Sequence, residues 1–331
     1  MPPLRLWRRS AAWSGLRGRR RCRSLPMLPM GENSGVLRMA LLANPEARAG
    51  RAALDVDHVV DRLHHHLVEL EILSTDSPSA AADAARGAVC DGVDRLLVLG
   101  GDGITHLVVG AVAGTPTVLG VIPAGTGNDF ARALGLLDGT LEQRVDRALA
   151  DPVALDVIDA GGRIALTSVI AGFPSNVNTR ANRMAFPRGT ARYTIATLLE
   201  LPRMRPTDHR LVLDGRVHDV RAAAVVVANS RYFGAGMDIC PDADPTDGLL
   251  DVCIVGDTGR LELLRSFQKV KTGTHVEHPK VTMHRATEVV IEGVGEVRAD
   301  GEAFGELPVS LRAAPGALMV AGASTAPMIR G

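Results

Sequence analysis

The sequence predicts an α/β protein with a doubly wound first half and a β-sandwich-like second half. The chain has 331 residues, of which 46% are hydrophobic, and this is enough for two ordinary domains with proper cores. From residue 36 to about 156, short aliphatic runs alternate with amphipathic stretches of helix length, which is typical of a parallel sheet covered by helices. After residue 156, strand-like segments follow one another with turn signals between them, which indicates an antiparallel sandwich or barrel.

The first half contains four predicted strands, each an aliphatic run followed by glycine or polar residues. They span residues 36–43, 70–73, 95–99 and 118–122. Amphipathic stretches predict helices over residues 54–67, 80–90, 105–113 and 129–134. Ser77 or Ser79 is placed to cap the second helix, and Asn128 is placed to cap the fourth.

The second half is predicted to be mostly strands. They span residues 154–159, 164–170, 210–213, 222–228, 250–255, 288–292, 296–300, 309–311 and 317–320. Helices are expected over residues 190–201 and 261–270. We therefore expect four regions, with the final strands able to return to the first domain: an extension over 1–35, a nucleotide-binding domain over 36–155, a β-rich domain over 156–322 and a tail over 323–331.

Charge is distributed unevenly along the chain. The formal net charge is zero, which gives no support for nucleic acid as a partner. However, residues 1–38 carry nine arginines against a single Glu32. A targeting peptide or a basic membrane-binding arm would fit this segment, but we expect a disordered or wrongly assigned start, with Met30 as a natural first residue.

The cysteines and the length of the apolar runs bear on metal binding and on cellular location. The four cysteines lie far apart without a C-x-x-C pair, so they indicate no zinc site and fit a reducing cytoplasm. No apolar run reaches the roughly 18–20 residues of a membrane span. We expect a cytoplasmic protein whose membrane contact, if any, is peripheral.

Three glycine-containing loops follow predicted strands at the same edge of the sheet. The strand over 95–99 runs into Gly100-Gly101-Asp102-Gly103, the strand over 118–122 runs into the loop 123–132, and the first strand runs into residues 43–50. A glycine turn before a helix presents backbone N–H groups and the positive helix end to phosphate. Because ligands of open α/β sheets bind at the carboxyl ends of the strands, these loops predict a nucleotide-phosphate site.

Of two common nucleotide motifs, the dinucleotide fingerprint is a poor match and the Walker P-loop is excluded. A dinucleotide fingerprint needs a third glycine where this chain has His106. A Walker P-loop needs a Gly-Lys-Ser/Thr run, and of the three lysines only Lys271 precedes Ser or Thr, with Val270 before it.

Six blocks, in order, resemble the diacylglycerol kinase catalytic-domain family, which includes bacterial lipid kinases and the sphingosine and ceramide kinases. The family's G-G-D-G-T and P-x-G-T-x-N-D-F-A-R loops correspond to residues 100–104 and 123–132, and later blocks fall at 226–237, 241–251, 300–302 and 315–318. The resemblance covers about residues 37–320. It implies a phosphofructokinase-like α/β nucleotide domain followed by a β-sandwich domain.

The resemblance also implies a site for ATP, Mg²⁺ and a lipid alcohol. Residues implied to bind the nucleotide are Asn44, Thr75, Gly100, Gly101, Asp102, Gly103, Thr105, His106 and Thr126. Asp247, with backbone groups near Asp244 and Leu249, is implied to hold Mg²⁺ linked to Asp102 through water. Glu302 is implied to be the base that accepts the hydroxyl proton, with Asp300 orienting it or taking that role.

The acceptor lipid and the partners are less well specified. Diacylglycerol is our first expectation, and a sphingoid base or another lipid alcohol stays open. An arginine-flanked apolar stretch over 184–204 fits a helix that meets an anionic membrane surface, although a core helix fits it too. The family permits homodimers.

One departure from the family pattern lies inside the first loop. Ile104 stands where the family has Thr, so a hydroxyl that would contact the phosphates or cap the helix is missing. We expect ATP binding to be weaker by about 1 kcal/mol, the scale of one neutral hydrogen bond, and Ile104→Thr to lower the KM for ATP. A protein that has lost catalysis is an alternative, as is an NAD kinase, whose Asn-Glu motif we do not find.

Overall fold

The computed structural model describes residues 37–43, 51–64, 66, 68–73, 75, 77–125, 127–184 and 190–324. In chain order the first half comprises β1 (Leu37–Ala43), α1 (Arg51–Leu63), β2 (Val68–Leu73), α2 (Pro78–Cys90), β3 (Arg95–Gly100), α3 (Asp102–Val112), β4 (Val118–Pro123), α4 (Asp129–Ala133) and α5 (Leu141–Leu149).

The first half is doubly wound, as predicted. Its strands pair in parallel in the order β2-β1-β3-β4. Alternate residues of β3 enter different cores: Leu96 and Val98 pack with the side of the sheet covered by α2 and α3, whereas Leu97 and Leu99 pack with α1 and α5. Because both faces are covered, these strands are continuously aliphatic.

Two details of the first half differ from the prediction. The helix α5 was not predicted, although Thr140 and Gln143 form a capping box at its start. Ser77 caps α2 by accepting a hydrogen bond from the Ala80 N–H at 3.2 Å, whereas Asn128 makes no side-chain cap on α4.

The second half is β-rich. Its elements are β5 (Pro152–Asp159), β6 (Ile164–Ala165), β7 (Ser168–Gly172), α6 (Phe173–Arg183), α7 (Thr190–Glu200), β8 (Thr207–Leu213), β9 (Arg216–Ala228), β10 (Tyr232–Phe233), β11 (Met237–Asp238), β12 (Leu250–Gly256), α8 (Arg260–Lys271), β13 (Val281–Ala286), β14 (Glu288–Glu292), β15 (Glu296–Ala299), β16 (Glu302–Glu306) and β17 (Val309–Ala321).

The strand β9 lies at the centre of this half, where it pairs antiparallel with β7, β8 and β12. Val225 and Val227 enter the core on one face of the sheet, and Val226 enters a second core on the other face. Both faces of β9 are therefore buried over residues 222–228, which explains why this part of the strand is a run of alanines and valines.

The strand β17 joins the two halves. It pairs parallel with β4 and antiparallel with β5 and β14. Its register shifts between Ala314 and Leu318, where Pro315-Gly316 interrupts the ladder, so the strands predicted at 309–311 and 317–320 form one bulged strand. The buried Asp156 carboxylate accepts the N–H of Gly316 at 2.8 Å and the N–H of Gly248 at 2.7 Å, which fixes the bulge.

The helix α6 was not predicted. Gly172 precedes it with a φ of +86°, and Pro174 occupies its first turn. The segment predicted as one strand over 164–170 is divided into β6 and β7. No helix among the described residues is long and apolar enough to cross a membrane.

Candidate functional site

The two glycine turns lie side by side at the carboxyl ends of β3 and β4. Gly100 is in register with Pro123, and the Ala124 N–H donates to the Gly100 carbonyl at 2.9 Å. A Cβ on Gly125 would lie 2.6 Å from the Gly101 Cα, and a Cβ on Gly101 would lie 3.2 Å from the Gly125 Cα. The turns therefore pack backbone against backbone, which only glycine permits.

Asp102 connects the first turn to the second. Its Oδ2 accepts the Asp129 N–H at 3.0 Å and its Oδ1 accepts the Phe130 N–H at 3.3 Å, so Asp102 supplies the cap of α4. Burial raises the pKa of Asp102, and these two N–H groups oppose that rise. The carboxylate thus fixes the loop that precedes α4.

Asp129 connects the second turn to the second half of the chain. Its carboxylate accepts the N–H of Ala235 at 2.8 Å and the N–H of Gly236 at 2.6 Å, both in the turn between β10 and β11. Burial, with the charge of Asp102, raises the pKa of Asp129 to about 6.

Asp300 is a fully enclosed acceptor. Its side chain is 4% exposed, and it accepts the Leu166 N–H at 2.9 Å and both the N–H and the hydroxyl of Thr167 at 2.7 Å. It also contacts His106 Nδ1 at 2.7 Å. Burial alone would raise the pKa of Asp300, but the hydrogen bond and charge of His106 and the backbone N–H groups lower it. A carboxylate held in this way is suited to positioning the turn at residues 300–302.

His106 faces Asp300 because it lies one turn after Gly103 on the same side of α3. Burial would lower the pKa of His106, but the hydrogen bond and charge of Asp300, with the charge of Glu302, raise it. The imidazole thus serves the turn at residues 300–302. It does not line the cavity described below, and its expected nucleotide role stays a prediction.

Glu302 is exposed and begins β16. Its Oε1 is 3.7 Å from the position that a Cβ on Gly103 would take. The carboxylate therefore lies against the first turn of α3, where unpaired N–H groups and the helix dipole favour negative charge.

One cavity of about 540 Å³ connects these groups to an apolar chamber. Its polar end is lined by Gly101, Asp102, Gly125, Gly127, Asp129 and Glu302. Its apolar lining includes Ile170, Phe173, Val177, Val226, Phe233 and Met237. A ligand that fills it would present a polar group beside Glu302 and place apolar chains between α6, α7, α8 and β9.

Among the polar side chains of this cavity that were not predicted from the sequence are Asn178 and Asn182. Both belong to α6, one turn apart, and they lie beside Gly301 and Glu302. Their i, i+4 spacing would have indicated a shared helix face if α6 had been recognised.

Besides His106, three described residues that were predicted to bind the nucleotide do not line the cavity: Thr75, Gly100 and Thr105. Asn44 and Thr126 lie outside the described residues. Thr75 is buried after β2, and its hydroxyl has no hydrogen-bond partner within the described ranges. The Thr105 hydroxyl donates to the Gly101 carbonyl at 3.0 Å, so it is used inside the turn. Gly100 is buried at the end of β3.

Ile104 is 6% exposed and packs in the core between α3 and the sheet, while part of it borders the cavity. A threonine here would place its hydroxyl against apolar neighbours. The expected effect of Ile104→Thr on ATP binding stays a prediction, and the burial adds a cost in stability.

The predicted magnesium ligands make hydrogen bonds within the chain. Asp247 Oδ2 accepts from the Arg285 guanidinium, and its Oδ1 accepts the Leu249 N–H at 3.0 Å. Asp244 Oδ1 accepts the Thr246 N–H at 3.0 Å. In the part of the chain that is described, no group of three His, Cys, Asp or Glu side chains is arranged to hold a metal. Asp247 thus pairs with an arginine in this structure, and the expected role of Asp247, Asp244 and Leu249 in holding Mg²⁺ stays a prediction.

Comparison with known proteins covers nearly all of the described chain. Residues 38–160 match the family model described as "Diacylglycerol kinase catalytic domain", and residues 167–322 match "YegS C-terminal NAD kinase beta sandwich-like domain". A diacylglycerol kinase of Mycobacterium tuberculosis is 40% identical over 301 residues, which are 86% of this chain and 94% of that protein. A diacylglycerol kinase of Bacillus subtilis is 26% identical over 287 residues, which are 82% of this chain and 91% of that protein.

A solved structure has the same fold. The crystal structure of a diacylglycerol kinase from Bacillus anthracis aligns with a TM-score of 0.72 at 23% identity, covering 87% of this chain and 98% of that chain. An α/β half followed by a β-rich half is thus common to both.

Proposed function

The chain belongs to the diacylglycerol kinase catalytic-domain family, and on that premise we propose that it is an ATP-dependent lipid kinase that phosphorylates the primary hydroxyl of diacylglycerol. The product is phosphatidic acid. The observation that carries this proposal is the single cavity in which the glycine turns, Glu302 and an apolar chamber meet. A nucleotide site alone would not need the apolar chamber, and a lipid-binding site alone would not need the glycine turns.

Each part of the reaction has a group suited to it. The N–H groups of the turn at Gly101, which packs against the turn at Gly125, are suited to the phosphates of ATP, which brings Mg²⁺ with it as part of the substrate. Asp102 and Asp129 hold these turns in place. The lipid hydroxyl oxygen attacks the γ-phosphorus while Glu302 accepts the hydroxyl proton, and the bond to the leaving ADP oxygen breaks.

A membrane surface is the partner that this substrate requires, and two helices over the cavity are suited to it. Ile195, Leu198 and Leu199 of α7 and Leu261 of α8 are exposed, Leu261 by 68%. The inner sides of the same helices line the cavity. Arg260 Nε donates to the Met204 carbonyl at 3.4 Å, which holds the start of α8 beside the segment after α7.

The surroundings of these leucines favour an anionic bilayer over a second copy of the chain. Arg203, Arg205 and Arg265 are exposed on the same segments, whereas Glu200 is held by Arg180 and Glu262 by Lys280. Net positive charge around exposed leucines is typical of a surface that binds anionic lipid headgroups.

Vesicle binding tests this surface. The double variant Leu198→Ser/Leu261→Ser should bind phosphatidylglycerol-containing vesicles at least tenfold more weakly, since each buried leucine contributes about 1.5–3 kcal/mol. Val217→Ser/Val294→Ser is the matched control, because both valines are exposed elsewhere. An equal loss of vesicle binding in both variants contradicts membrane docking. A wild type that forms a dimer which the leucine changes break contradicts it too.

A phosphotransfer assay tests the activity. Purified protein is incubated with labelled ATP, Mg²⁺ and dispersed diacylglycerol, sphingosine or NAD. We expect label in phosphatidic acid, lost in Glu302→Gln and retained in Glu306→Gln, a matched change at another exposed position of β16. Label in NAD, or in none of these acceptors, would refute the proposed function.

A further inference from the structure

Two asparagines of α6 connect the turn that carries Glu302 to the cavity. The Asn182 side-chain nitrogen donates to the Gly301 carbonyl at 3.1 Å and to Asn178 Oδ1 at 3.1 Å. Both of its N–H bonds are therefore used, one to hold the turn and one to hold the neighbouring amide.

This arrangement fixes which atom Asn178 presents to the cavity. The Gly301 carbonyl can only accept, so the amide group facing it from Asn182 must be the NH₂ group. The remaining N–H of Asn182 then requires an oxygen from Asn178, which turns the Asn178 NH₂ group away from Asn182. The orientation of both amides is thus set by one backbone carbonyl.

The Asn178 NH₂ group has no hydrogen-bond partner within the described ranges, although the residue is only 9% exposed and lines the cavity. Its nitrogen is 3.5 Å from the position that a Cβ on Gly301 would take, so it lies beside the turn that carries Glu302. A donor at the wall of a cavity can be paired by a ligand that supplies an acceptor.

We propose that Asn178 is a specificity-determining residue that donates a hydrogen bond to an ester carbonyl oxygen of the acceptor lipid. This rests on the proposed function, because it assigns a role in binding the lipid of that same site. In diacylglycerol, the ester nearest the free hydroxyl is a few bonds away, so a hydroxyl at Glu302 brings that ester to the neighbouring amide. A donor at this position favours an ester lipid over a diether lipid, which has no carbonyl, and over an amine, whose ammonium cannot accept.

The ratio of kcat/KM for diacylglycerol to that for the matching dialkylglycerol tests the role of Asn178. The wild type should prefer the ester lipid by roughly 3- to 10-fold, the scale of one neutral hydrogen bond. Asn178→Leu should remove the preference. Asn178→Asp should remove it too, while its oxygen still accepts from Asn182, so the turn at Gly301 stays anchored. Asn176→Leu is the control, because Asn176 is exposed on the same helix.

Each outcome has a distinct meaning. Equal losses with both lipids in Asn178→Leu, or an ester preference that survives in Asn178→Asp, would show that Asn178 only supports the turn. A wild type that phosphorylates both lipids equally overturns the inference and leaves the lipid kinase intact. A wild type that phosphorylates neither lipid refutes the proposed function, and the inference falls with it.

Discussion

Adding a single methyl group at Gly125 should disable the nucleotide end of the cavity. In Gly125→Ala the new carbon would lie 2.6 Å from the Gly101 Cα and 2.8 Å from Asn128 Oδ1. Non-bonded carbon atoms approach to about 3.5–4.0 Å, so the two turns would have to separate by about 1 Å. Backbone lies on both sides of the contact, so no side-chain rotation can relieve it.

The size of the effect follows from that displacement. Overpacking of this kind costs about 1–3 kcal/mol in stability. A shift of about 1 Å in groups that position a reacting substrate costs on the order of 10²-fold in rate. We therefore expect kcat/KM for ATP to fall about 100-fold and the free energy of unfolding to fall by about 1–3 kcal/mol.

The matched control is the same substitution at Gly110. This glycine is exposed in α3, and a Cβ there meets nothing within 4 Å. Gly110→Ala should stabilise the protein by about 1 kcal/mol, because alanine is the better helix former, and leave kcat/KM unchanged. Denaturant unfolding and initial-rate kinetics measure both variants. If Gly125→Ala matches the wild type in both, close backbone packing of the turns is not required.

Four further results are expected. Glu302→Gln should lower kcat at least 100-fold with unchanged unfolding, and residual activity above a tenth would mean that another group takes the proton. Because Asp300 raises the pKa of His106, this residue stabilises the fold fully below about pH 6.5, and the stabilisation is lost as the pH rises through its folded-state pKa. The fall in the free energy of unfolding over this pH range should be absent in His106→Gln, and a fall that persists would mean that other groups cause it. Ala235→Gly should stabilise by up to about 1 kcal/mol, because Ala235 has a φ of +68°, and a destabilised variant would contradict that strain. Ile104→Thr should cost about 1–3 kcal/mol in denaturant unfolding, and a neutral result would mean that its hydroxyl finds a partner.

Local sequence signals predicted the first half of the fold well. All four parallel strands were predicted within about two residues of their observed ends, because buried parallel strands are continuous aliphatic runs bounded by glycine or polar residues. The helix α5 was not predicted, because its amphipathic pattern is short and follows a loop with two glycines. Its capping box is nevertheless present in the sequence.

Features that depend on long-range contacts were not predictable. The sequence Gly172-Phe-Pro-Ser-Asn resembles a turn, so α6 was missed, and with it Asn178 and Asn182. Pro315-Gly316 divides β17 in the sequence, yet Asp156, 160 residues away, holds the bulge in place. The role of Asp300 likewise depends on donors from residues 166 and 167 and from His106, which no local pattern brings together.

The position of β17 also affects how the chain can fold during synthesis. Residues 309–321 leave the ribosome after the other described strands, yet they supply the strand that pairs with β4 opposite β3 and the strand that joins β5 to the sheet. Until they emerge, the nascent nucleotide half has an open strand edge, the kind of surface that promotes aggregation. The first half is therefore translated first but is completed last, at the same time as the β-rich half.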